Sequence, residues 1–189
     1  MELDKNKPLL KYALDSLKAG DIKTAKNLMG IHPDQLSDSD FVDGMRSLEK
    51  GLSLVIKGHH PQSVEPLRKA LIVVNSSSDD ETKFYVSVLT DFVDGISKLL
   101  NGDAHTAVDL LNISSDAIER LNFFIPGFEK VALSCKAAAQ TALARTFLNA
   151  GNAIEAESCF GIINNTYSEL FELLDESKIE DIPFLYTAS

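Results

Sequence analysis

Four glycines, Gly20, Gly58, Gly102 and Gly151, each follow an apolar run with helical spacing, and they set one ruler for the whole chain. Seven residues before each stands a small residue: Ala13, Gly51, Gly95 and Ala144. Five residues after each stands another: Ala25, Ser63, Ala107 and Ala156. Nine residues after comes a large apolar side chain: Met29, Leu67, Leu111 and Phe160. No gap is needed to bring the twelve positions into line. Close packing explains the pattern, because two helices joined by a tight turn approach only where side chains are small. A bulky apolar group one turn further on fills the space beyond. Glycine ends such a helix because it takes the left-handed cap without strain. The expectation is an all-α chain of four helical hairpins.

Apolar spacing agrees nearly everywhere: Leu9, Leu10, Ala13, Leu14 and Leu17 follow an i, i+3, i+4 pattern, as do Phe92, Gly95, Ile96, Leu99 and Leu100. The β-branched run Ile72-Val73-Val74 is short and ends a helical pattern, so it is not read as a strand. Asp21, Asp103 and Asn152 follow three of the glycines and suit the opening of the next helix. Pro61 suits a first turn, where its missing N–H costs nothing. Predicted helices run over 6–19, 22–29, 40–57, 61–74, 80–101, 104–120, 126–150 and 153–175. They pair as hairpins over about 6–29, 40–74, 80–120 and 126–175. Residues 1–175 are expected to form one domain, and 176–189 a C-terminal tail with Phe184 and Leu185 able to fold back on it.

The small, glycine, small, large order resembles the tetratricopeptide repeat, over about residues 6–165. It departs from the standard pattern in lacking tryptophan and the closing proline. The glycines are also 38, 44 and 49 residues apart, against about 34 in that repeat. The resemblance implies a right-handed α-α superhelix whose first helices line a concave face that binds ligands. Carried onto this chain, the inward positions are Lys7, Leu10, Leu14 and Leu17, then Met45, Leu48, Leu52 and Val55. Leu89, Phe92, Ile96 and Leu99 follow, and Arg145 falls in the fourth hairpin. This face is apolar, without the Lys, Arg and Asn set with which chaperone-docking members of the family clamp a terminal carboxylate. If it were open it would mark a partner site. If strongly curved or covered by the tail, it would be core.

Composition narrows the function. The net charge is −10, with 11 Lys/Arg against 10 Asp/Glu in residues 1–70 and 7 against 18 in the rest. Nucleic acid and anionic membrane are therefore poor partners. No apolar run reaches the length of a membrane span or a secretory signal. Cys135 and Cys159 have no metal-ligand spacing, suiting free thiols in a cytoplasmic protein, and Cys159 shares a core face with Ala156 and Phe160. His59-His60 reads as a turn, and no nucleophile elbow, phosphate loop or HExxH stands anywhere. No enzyme, cofactor or metal is expected. The function expected is an adaptor or scaffold that holds another protein or peptide. A sensor for a short peptide or small apolar ligand, and a self-assembling subunit such as a homodimer, are the alternatives.

Overall fold

At all four ruler glycines the backbone is left-handed, with φ of +81° at Gly20, +73° at Gly58, +81° at Gly102 and +75° at Gly151. A side chain there would be strained, so these turns depend on the residue type. The computed structural model describes residues 9–125 and 127–173. Within them lie nine helices and no strand: α1 (Leu9–Lys18), α2 (Ile22–Leu28), α3 (Asp38–Ile56), α4 (His60–Val74), α5 (Asp80–Leu100), α6 (Ala104–Leu111), α7 (Ser115–Phe124), α8 (Phe128–Asn149) and α9 (Ala153–Leu173). The chain is all-α over its described residues.

Local chemistry accounts for the helix starts. Asp21 and Asp103 accept from the backbone N–H of Thr24 and Thr106, at 3.0 and 3.2 Å. Both carboxyls are held below the usual range by these threonines, Asp21 first by the Thr24 backbone N–H and then its side chain, Asp103 first by the Thr106 side chain and then its backbone N–H. Asn152 does the same for Glu155 at 3.4 Å, and proline stands in the first turn of α4. One expectation fails: the helix predicted over 104–120 is broken into α6 and α7. Ser114 leaves the helical region at φ −63° and ψ 150°, and its hydroxyl caps the N–H of Ala117. A serine that satisfies a free donor by starting a helix competes with continuing one.

The chain divides into two compact units, Met1–Thr90 and Asp91–Ser189, with the boundary inside α5. In the first unit α1 packs on α2 and α3 on α4. Lys26, only 5% exposed, donates from Nζ to the Leu36 carbonyl at 2.6 Å and pairs with Asp38 at 2.9 Å. That buried amine ties the loop before α3 to α2. The Met29 carbonyl accepts from the Ser77 hydroxyl at 2.5 Å and the Ser78 N–H at 3.2 Å, fixing the α4–α5 connection. In the second unit α8 packs against α6, α7 and α9. Phe92 and Phe128 meet edge to face at 4.9 Å, and Ala104, Leu143, Ala144 and Cys159 form one buried cluster.

The repeat frame has a direct packing counterpart. A Cβ built on Gly51 would stand 2.7 Å from Leu67 Cγ, and one on Gly95 2.7 Å from Leu111 Cγ. Both pairs join the position seven before the turn to the position nine after it. The same contact recurs in two hairpins, which is what a repeat means physically.

Candidate functional site

The residues expected to line a binding face fall into three groups. Leu10, Met45, Leu48, Leu52, Val55, Leu89, Phe92 and Ile96 are buried, none more than 8% exposed. As the protein stands these eight side chains are closed to solvent. Leu14, Leu17 and Leu99 are half-buried and Arg145 is exposed. Lys7 and the tail 176–189 lie outside the described residues. Leu14 and Leu17 line an open depression of about 370 Å³ beside Val42, rimmed by the Lys18–Glu49 ion pair at 2.7 Å. A larger cleft of about 670 Å³ lies along α3 and α4, where Gly44, Val73 and Ile72 form an apolar floor. Charges of both signs, Asp40, Asp43, Arg46, Lys50 and Lys69, surround it.

Among the described residues, large apolar side chains stand exposed on α3, α4, α5, α8 and α9, with Ile154, Phe160, Ile162 and Phe171 on α9. Ile154 is 80% exposed, Phe160 44% and Phe171 65%. At about 100° per residue, Phe160, Asn164, Tyr167 and Phe171 fall on one stripe about 16 Å long. The Tyr167 and Phe171 rings lie 6.2 Å apart along it. The adjoining face, about 90° round the helix, carries Ala156, Cys159, Ile163, Thr166 and Leu170 and is the buried one. Phe160 is the departure from the repeat frame. Its equivalents Met29, Leu67 and Leu111 are 0 to 2% exposed, and the expectation that it shares a core face with Cys159 is corrected here. Beside it, Gly161 has no heavy atom within 4 Å of where a Cβ would be.

α9 is also electrostatically one-sided. It carries Glu155, Glu157, Glu169 and Glu172 and no Lys or Arg. In the same unit Asp91 and Asp94 share one face of α5, and burial, then the Asp94 charge, raise the Asp91 carboxyl above its usual range.

Burial pushes the Cys135 thiol up to about 12, which leaves it protonated and unreactive at neutral pH. His60 is buried, and desolvation, then His59, lower its basicity. The Gln140 Oε1 is buried with no hydrogen-bond partner. Among the described residues no group of His, Cys, Asp and Glu could hold a metal ion, and no helix is long and apolar enough to cross a membrane.

Compared with known protein families, curated proteins and solved structures, the chain matches none.

Proposed function

We propose that this chain is a divergent array of four tetratricopeptide-like hairpins, wound as a right-handed superhelix in the cytoplasm, that serves as a non-catalytic adaptor for another polypeptide. The observation that carries the reading is the aromatic stripe of α9, whose Phe160 is exposed at a repeat position buried in the other three hairpins. Phe160 and Phe171 held in water along one helix are a cost to the isolated chain, and a partner that covers them removes it. The binding surface proposed is therefore α9 and not the first-helix face. The buried Cys135 thiol is held in its unreactive form.

Affinity capture with the full chain, read by mass spectrometry, tests this. A polypeptide retained by the parent and by an Ile56→Ser control, and lost from the Phe160→Ser/Phe171→Ser double variant, is the expected result. Equal capture by parent and double variant would place the function elsewhere.

A further inference from the structure

The geometry points to a basic amphipathic helix as the segment that α9 receives. This rests on the adaptor reading and adds to it the chemistry of the partner. The stripe of Phe160, Tyr167 and Phe171 recurs with helical period over about three turns, the length over which a partner helix presents its own apolar residues at i, i+3, i+4 and i+7. Gly161 is small and exposed about a quarter turn round the helix from the stripe, and the space over it is empty of protein. A second helix axis can therefore come close on that side.

Charge selects among the occupants. The four formal charges of α9 are all glutamates; at about 100° per residue Glu157 and Glu172 lie on one side of the stripe, and Glu155 and Glu169 on the far face. A partner whose apolar face is edged by Lys and Arg meets complementary carboxylates, whereas an acidic one is repelled. The remaining C-terminal residues, 174–189, carry four acids, Asp175, Glu176, Glu180 and Asp181, against the single Lys178. A second copy would bring the same glutamates against their own kind. Both alternatives oppose the field of the stripe, and a basic helix follows it.

The chain has no tryptophan, so a synthetic peptide of leucine and lysine, about four turns long with one tryptophan, reports binding by its own fluorescence. Titrated into the full chain, it should bind. A leucine and glutamate peptide of the same pattern, and a scrambled leucine and lysine peptide without an apolar face, should bind about tenfold more weakly or not at all. Phe160→Ser/Phe171→Ser should weaken the first peptide about tenfold or more, and Ile56→Ser should leave it unchanged. Both phenylalanines are exposed, so thermal melts of the double variant should match the parent. Equal binding of the lysine and glutamate peptides, both lost in the double variant, overturns the basic partner while the adaptor reading stands. Equal binding of the scrambled peptide reduces the contact to bulk charge and overturns the helix. No binding of any peptide overturns the inference, and the capture experiment then judges the adaptor reading on its own.

Discussion

A methyl group on Gly95 would stand 2.7 Å from Leu111 Cγ and 3.1 Å from Leu110 Cβ. Both atoms belong to a close helix contact and neither is the free end of a long chain, so α5 and α6 must separate to admit it. Gly95→Ala gains helix propensity but overpacks, and a net loss of about 1–3 kcal/mol is expected. Ala107, which is 0% exposed, shares the restriction, and Ala107→Leu should cost a similar amount. Unchanged thermal melts for both would show that the repeat contact does not bear on stability. His60 provides a pH signature. Its folded pKa lies below the ordinary 6.5, first from desolvation and then from His59. The unfolded chain therefore takes up the proton first as pH falls below about 6.5. Stability is full above that value and declines below it, until the folded pKa is also passed. Asp91 is shifted upward from 3.8 and acts with the opposite sign, while Asp21 and Asp103 matter only below about 3.8. Urea midpoints measured from pH 7.5 to 5 should fall for the parent and flatten for His60→Gln. A slope that persists in that variant would assign the effect to other groups.

At the level of the element, turns are legible in the sequence and solvent exposure is not. A left-handed φ is a demand on one residue, so Gly20, Gly58, Gly102 and Gly151 can be placed without knowing what packs where. The α6–α7 break is hidden because Leu110, Leu111, Ile113, Ala117 and Ile118 keep an acceptable helical spacing across it. The deciding signal is Ser114, three residues before the N–H it caps. Ser114→Ala should cost about 1 kcal/mol, read as a lower urea midpoint, and no change would mean that α7 does not depend on its cap. Lys26 gives no warning of burial, because its partner is a carbonyl ten residues on that only the folded loop presents. The repeat offset of Phe160 points to the core. Offset fixes the helix face, but exposure depends on whether another element covers it. On the same helix Gly161 has no protein atom to collide with and no positive φ to protect. Gly161→Ala should therefore raise stability by about 0.5–1 kcal/mol. A melt unchanged or lowered would place an unseen constraint on that backbone.

The whole molecule sets one further condition, through its charge. Apolar surface on α9 invites self-association, and the net charge of −10 opposes it. Which wins depends on distance and screening. Glu157 and Glu172 lie on one flank of the stripe at about 100° per residue, so two copies docked through it would bring those carboxylates toward the contact. At low ionic strength the Debye length of roughly 30 Å leaves that repulsion nearly intact, and about 3 Å at 1 M salt removes most of it. Hydrophobic burial is not weakened by the added salt. Light scattering should therefore give a monomer at pH 7 in low salt and partial dimer formation at 1 M sodium chloride, at the same protein concentration. Phe160→Ser/Phe171→Ser should stay monomeric in both, since it removes the attraction and leaves the charge. Working at constant pH keeps the titration of His60 and Asp91 out of the comparison. A dimer already formed in low salt, and insensitive to the two phenylalanines, would mean that copies of the chain meet through another surface. The acidic face of α9 would then select no partner by repelling its own kind.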